Sequence, residues 1–73
     1  MIDNRPLSVL NRNIGNHVIV ELRYGKEYRG TLEGYDPHLN LVMSDVKEFI
    51  GGEQTRTMAK AMVRGDNVIY VSP

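Results

Sequence analysis

Five short runs with the residue pattern of β-strands, separated by turn-forming residues, constrain the fold of this chain most strongly. In the first run, residues 17–23, Val18, Val20 and Leu22 fall on one face and mostly polar residues on the other. The remaining runs are residues 27–35, 39–46, 55–63 and 67–71. Because their connections have hairpin length, the pattern predicts a mainly β domain in which five antiparallel strands follow one another as a meander.

A short amphipathic helix is predicted to precede the strands. Residues 3–14 carry apolar side chains spaced three and four apart, with Asp3 or Asn4 as the N-cap and Gly15 as the stop. Isolated helices shorter than about 12–15 residues rarely persist in water, so the apolar stripe of this helix must pack on the sheet.

Two glycines in the second run indicate that the sheet is strongly bent. Gly30 and Gly34 lie on the same face of that strand, where glycine usually marks a bend, a bulge or the close approach of another backbone. Their spacing suggests a strand that curls around a small, incompletely closed barrel.

The small size of the chain predicts that it needs a partner. A domain of 73 residues buries only about 60% of the surface that its unfolded form exposes. With no cysteine and two histidines, neither a disulfide nor a closed Cys/His zinc site can stabilise it. Residues 68–71 carry no charge, and an uncharged edge strand invites pairing. We therefore expect the fourth strand of one copy to pair with the fifth strand of the next, closing a ring.

The charge balance limits how the chain can bind nucleic acid. Nine basic and nine acidic residues give a formal net charge of zero, so phosphate contacts must be local and cannot cover the whole surface. No apolar run reaches the roughly 20 residues that span a bilayer, and the N-terminus lacks a basic region followed by an apolar one. We therefore expect a cytoplasmic protein.

The sequence shows no catalytic motif, and we expect neither an enzyme, a cofactor nor a metal site. There is no Gly-x-Ser-x-Gly, and no glycine-rich run ends in Lys-Ser or Lys-Thr. Polar residues instead cluster in two turns. Asp36, His38 and Asn40 lie in the first, and would point to the same side if that loop were extended. The second turn is Arg64-Gly65-Asp66.

If the two turns converge, they form a pocket for a nucleobase. An imidazole and a guanidinium group can sandwich a flat base, and the amide of Asn40 can bind its edge. A free amide suits either uracil or cytosine, because it can rotate to exchange its donor and acceptor. A carboxylate from Asp66 or Asp36 that accepts from the amide nitrogen would remove this ambiguity in favour of uracil. The residues alone do not rank the two carboxylates.

Two motifs make the chain similar to the Sm and Sm-like (LSm) family of RNA-binding proteins, most closely to its archaeal members. The first motif is followed through Val18, Val20, Leu22, Gly25, Tyr28, Gly30, Leu32, Gly34, Tyr35, Asp36, Leu39, Asn40 and Asp45. The second motif is Val63-Arg64-Gly65-Asp66-Asn67-Val68.

The resemblance implies a single Sm domain over residues 1–73, with the helix at 3–14, the first motif at 17–46 and the second at 62–72. The implied fold is an SH3-like open barrel, in which a short N-terminal helix precedes a strongly bent five-stranded antiparallel sheet. Family members form rings, usually homoheptamers in archaea. The implied ligand is single-stranded U-rich RNA, bound at the central pore with one base per subunit, in RNA processing or RNP assembly.

Residue by residue, the resemblance implies that His38 and Arg64 stack on the base and that Asn40 binds its edge. It also implies that Asp66, alone or with Asp36, holds Asn40, and that Gly65 permits the turn. Two alternatives stay open at this point. One is a ring-shaped protein-interaction scaffold with little RNA selectivity, and the other is a monomeric SH3-like barrel within a ribosomal or translation complex.

Overall fold

The computed structural model describes residues 4–73 as one short helix followed by five strands. The elements are α1 (Pro6–Arg12), β1 (His17–Leu22), β2 (Lys26–Tyr35), β3 (Leu41–Ile50), β4 (Glu53–Val63) and β5 (Val68–Ser72). Single 3₁₀ turns at Arg23–Gly25 and Gly65–Asn67 precede β2 and β5. The fold is therefore mainly β, with a short N-terminal helix, as predicted.

The strand order corrects the predicted meander at its last strand. All neighbouring strands are antiparallel, and the order across the sheet is β4-β3-β2-β1-β5. After β4 the chain crosses to the opposite edge and pairs β5 with β1, which curls the sheet into an open barrel. The hairpin-length connections therefore predicted three of the four strand pairs, but not the long-range pairing of β5 with β1.

The helix is shorter than predicted and begins and ends at other residues. Its N-cap is Arg5, which makes no side-chain cap hydrogen bond, and Asn4 does not cap it; the alternative cap, Asp3, lies outside the described residues. Pro6 opens the first turn, where its missing N–H costs nothing. The helix ends at Arg12, and the Asn13 side chain donates to the Val9 carbonyl at 2.8 Å.

The helix contributes one residue, Leu10, to the hydrophobic core, which otherwise consists of inward-facing strand residues. The buried strand residues are Val18, Val20, Leu22, Leu32, Leu41, Met43, Val46, Ala61 and Val63. The alternation that identified β1 is seen directly, because its even-numbered residues are buried and its other residues are not. The core therefore lies inside the curled sheet.

Gly30 and Gly34 both lie at irregularities of the sheet, but only Gly30 is required by a close contact. The β2–β3 register shifts between Arg29 and Thr31 and again between Leu32 and Gly34. A Cβ on Gly30 would lie 2.8 Å from the Ser44 carbonyl oxygen, whereas a Cβ on Gly34 would meet nothing nearer than 4.0 Å. The bend at Gly30 thus depends on glycine, and the irregularity at Gly34 does not.

A buried carboxylate, which sequence reasoning did not single out, joins β2, β3 and β4 away from the predicted site. Glu48 accepts hydrogen bonds from the Tyr28 hydroxyl at 3.0 Å, the Thr55 hydroxyl at 2.8 Å and the Arg56 guanidinium at 3.1 Å. These bonds, that of Thr55 first, hold the pKa of Glu48 below its usual value although burial opposes them. The charged form is therefore part of the folded structure.

Candidate nucleic-acid interface

Strand pairing brings the two predicted polar turns together. The first turn, residues 36–40, is called the Asp36 loop, and the second, residues 64–67, is called the Arg64 loop. Leu41, directly after the Asp36 loop, pairs with Val63, directly before the Arg64 loop. Because paired residues of neighbouring strands are adjacent, the two loops must leave the sheet side by side. The predicted convergence of the loops is therefore observed.

The Asp36 loop is a tight turn and not the extended segment that the alternation of its polar residues assumed. The Leu39 N–H donates to the Asp36 carbonyl at 3.0 Å, and the Asp36 N–H donates to the Asn40 carbonyl at 3.1 Å. Leu39 has a φ of 62°, a left-handed conformation that reverses the chain between His38 and Asn40. As a result His38 and Asn40 line one hollow, whereas Asp36 does not line it.

The Asp36 carboxylate organises this turn. Its Oδ1 accepts from the backbone N–H of His38 at 2.9 Å and of Asn40 at 3.1 Å, and its Oδ2 accepts from Asn40 Nδ2 at 2.9 Å. The bond from the Asn40 side chain is the largest cause that holds the pKa of Asp36 below its usual value of 3.8. Asp36 is therefore ionised at neutral pH, as an acceptor of three hydrogen bonds requires.

The amide of Asn40 is held at both of its ends. While Nδ2 donates to Asp36, Oδ1 accepts from the backbone N–H of Gly65 at 2.8 Å. The reversed amide would set its hydrogens against the Gly65 N–H and its oxygen against a carboxylate. Nothing in the side chains predicted the Gly65 contact, because its donor belongs to the backbone.

Of the two candidate carboxylates, the Asn40 side chain contacts that of Asp36 and not that of Asp66. The Asp66 carboxylate lies 3.3 Å from the Arg64 guanidinium, and both side chains are exposed. An ion pair this exposed contributes little to stability. The ion pair keeps the two side chains together, and both line the hollow described below.

Gly65 is required by close packing of the two loops rather than by the backbone conformation of the turn. A Cβ at this position would lie 1.8 Å from the His38 carbonyl oxygen and 3.0 Å from the Leu39 carbonyl carbon. Both atoms belong to the backbone and cannot rotate away. The absence of a side chain therefore permits the Gly65 N–H to reach Asn40.

The two loops line an open hollow of about 390 Å³. Its lining residues are His38, Asn40, Arg64, Gly65 and Asp66. The hollow thus combines an imidazole from one loop, a guanidinium from the other, and an oriented amide. Such an arrangement can accept a flat ring and read the hydrogen-bonding groups on its edge.

Within residues 4–73, no three His, Asp or Glu side chains are placed to hold a metal ion. The same residues contain no helix with the length and apolar character needed to cross a membrane.

The fold and the site define a small open β-barrel that presents a polar pocket built from two loops. The LSM domain model matches residues 8–73, which is most of the chain. The chain belongs to the LSM domain family.

An snRNP Sm-like protein of Archaeoglobus fulgidus is 52% identical over 69 residues, which cover 94% of this chain and 90% of the relative. A solved Sm protein of Pyrococcus abyssi in complex with a uridine heptamer has a TM-score of 0.92 and 44% identity, and the match covers 96% of this chain and 99% of that one. A heptameric archaeal Sm protein has a TM-score of 0.83 and 39% identity, and the match covers 90% of this chain and 96% of that one.

Proposed function

We propose that this chain forms a cytoplasmic ring that binds single-stranded U-rich RNA at its central pore, one base per subunit, in RNA processing or RNP assembly. It acts as a binding protein and not as an enzyme. The observation that carries the proposal is the Asn40 amide, fixed by Asp36 on one side and by the Gly65 N–H on the other.

The fixed amide favours uracil over cytosine. Nδ2 retains one hydrogen beyond the bond to Asp36, and Oδ1 retains one lone pair beyond the bond from Gly65. Uracil offers a carbonyl oxygen beside a ring N–H, which complements this donor and acceptor. Cytosine offers an amino group beside an unprotonated ring nitrogen, so that both contacts become unfavourable unless the amide rotates and gives up its two bonds.

His38 and Arg64 supply the stacking part of the proposed site. Each belongs to a different loop and each is exposed at the hollow, so a base entering it would lie between the two side chains. Stacking of a base on such side chains contributes about 1–3 kcal/mol and depends little on base identity. Under this proposal stacking supplies affinity and Asn40 supplies selectivity.

The sheet edges support assembly into a ring. β4 and β5 form the two edges, and Met62 on β4 is 82% exposed while Ile69 and Tyr70 on β5 are 60% and 52% exposed. Pairing of β4 with β5 of the next subunit would cover these side chains and satisfy both edges. The heptameric archaeal Sm relative supports seven as the number of subunits. Successive pockets then bind successive nucleotides of one RNA. The resulting avidity raises the affinity without a strongly basic surface.

The proposal predicts two results for the purified protein. Light scattering should give a mass near seven times the 8.3 kDa of one chain. Fluorescence anisotropy should rank oligouridine well above oligocytidine and oligoadenosine of equal length. A mass of one chain would contradict the ring. An intact ring without preference among the three RNAs would favour the protein-interaction scaffold.

The two carboxylates near the pocket should have different effects when they are removed. Asp36→Ala should reduce the preference for oligouridine over oligocytidine roughly tenfold or more, because Asn40 loses the partner that orients its amide. Asp66→Ala removes the same charge and should leave this preference unchanged, since Asp66 contacts Arg64 and not Asn40. Anisotropy titrations of both RNAs on both variants provide the measurement. Equal losses of preference would contradict the assignment of Asp36.

A further inference from the structure

The two hydrogen bonds that fix the Asn40 amide leave it one free donor beside one free acceptor. Nδ2 has given one of its two hydrogens to the Asp36 carboxylate, at 2.9 Å. Oδ1 has used one of its two lone pairs on the Gly65 N–H, at 2.8 Å. The groups that remain complement a ring carbonyl next to a ring N–H, which together are called a lactam edge.

The lactam edge is not peculiar to uracil. Guanine and hypoxanthine, the base of inosine, also carry a carbonyl oxygen next to a ring N–H. Adenine and cytosine carry the reversed pair, an amino group next to an unprotonated ring nitrogen. An amide that is fixed in one orientation therefore separates these bases by their edge and not by the number of their rings.

The hollow is large enough for a base of two rings. Its volume of about 390 Å³ lies within the range of about 300–1,000 Å³ that is typical of sites for small molecules. Gly65 lines it without a side chain, and the side chains of Arg64 and Asp66 are 81% and 64% exposed. Because neither of these side chains is packed against the protein, both can move aside for the second ring. Size therefore does not confine the pocket to pyrimidines.

The stacking groups suit purines as well as pyrimidines. His38 and Arg64 are exposed at the hollow and can contact either face of a base that enters it. Stacking of this kind depends little on base identity, because every base has a flat aromatic face. Selection among purines therefore falls to the Asn40 amide.

We infer that the base pocket selects the lactam edge and not uracil alone, so that it also binds guanine and hypoxanthine while it rejects adenine and cytosine. The inference rests on the proposed function, because it concerns the same pocket in the same ring. Each subunit still binds one base. A U-rich strand that is interrupted by a guanosine then keeps every contact, whereas a strand that is interrupted by an adenosine loses one.

The test replaces the central nucleotide of heptauridine with inosine or with adenosine and measures binding to the wild-type ring by fluorescence anisotropy. The two purines have the same size and stacking face and differ only in the edge that Asn40 would contact. The inosine RNA should bind within about threefold of heptauridine. The adenosine RNA should bind about tenfold more weakly, because both contacts with the amide become unfavourable.

A variant without the amide identifies the selective group. Asn40→Ala should bind the inosine and adenosine RNAs equally, since nothing then distinguishes their edges. Asn16→Ala, which changes an exposed amide away from the pocket, should keep the difference. Light scattering on both variants confirms that the rings are intact. A difference between the two RNAs that survives in the Asn40→Ala ring would overturn the inference.

The wild-type results separate failure of the inference from failure of the proposed function. An inosine RNA that binds as weakly as the adenosine RNA would overturn the inference, since the pocket would then exclude purines by size. An adenosine RNA that binds as tightly as heptauridine would overturn it too. In both cases a preference for heptauridine over heptacytidine would leave the proposed function standing. Loss of that preference in the wild type would reject the proposed function, and the inference with it.

Discussion

Gly65→Ala is expected to reduce the affinity for oligouridine at least about 100-fold. The added Cβ would lie 1.8 Å from the His38 carbonyl oxygen, and the nearby atoms all belong to the backbone. The two loops must therefore separate, which breaks the bond from the Gly65 N–H to Asn40 and moves the proposed stacking groups apart. A loss of about 1–3 kcal/mol of stacking per base, repeated over several subunits, accounts for this magnitude.

Gly34→Ala is the matched control for this prediction. It adds the same methyl group to β2, where the nearest atom is the Val42 Cβ at 4.0 Å, so the protein should bind and unfold as the wild type does. Overpacking at Gly65 should also lower the free energy of unfolding by about 1–3 kcal/mol, which thermal unfolding followed by circular dichroism would measure. Equal behaviour of the two variants would show that the loops do not pack as the structure describes.

Asn40→Ala is expected to remove most of the preference for uracil. The variant loses the donor and the acceptor proposed to bind the base edge, each hydrogen bond contributing about 0.5–1.5 kcal/mol, while the proposed stacking groups His38 and Arg64 stay in place. Affinity for oligouridine should fall at least about 100-fold over a ring, because the loss is repeated at each occupied subunit. Affinity for oligocytidine should change much less, so that the two values converge.

Anisotropy titrations with both RNAs on the same preparations measure this convergence. Asn16→Ala serves as the matched control, because Asn16 is also exposed but makes only a 3.5 Å side-chain bond to the Arg12 carbonyl, away from the pocket. This control should retain the preference of the wild type. An Asn40→Ala ring that still prefers oligouridine would place the selective group elsewhere in the molecule.

Much of the fold could be predicted because its signals are local. The burial of Val18, Val20 and Leu22 follows from alternation along one strand, and turn-forming residues mark the two loops. The ends of elements were predicted less well. β3 begins at Leu41 and not at Leu39, because the left-handed backbone of Leu39 belongs to the turn. The helix begins at Pro6 with Arg5, and not Asn4, as its N-cap.

The candidate site was likewise predicted in part from local signals and in part could not be. The sequence by itself determined which residues could form a base pocket, because His38, Asn40 and Arg64 have the necessary groups and lie in two turns. Only the tertiary structure decided that Asp36 holds Asn40, that Gly65 supplies a backbone donor to the amide, and that β5 pairs with β1. These features depend on the approach of segments that are distant along the chain, and a residue's type and its neighbours in sequence do not specify that approach.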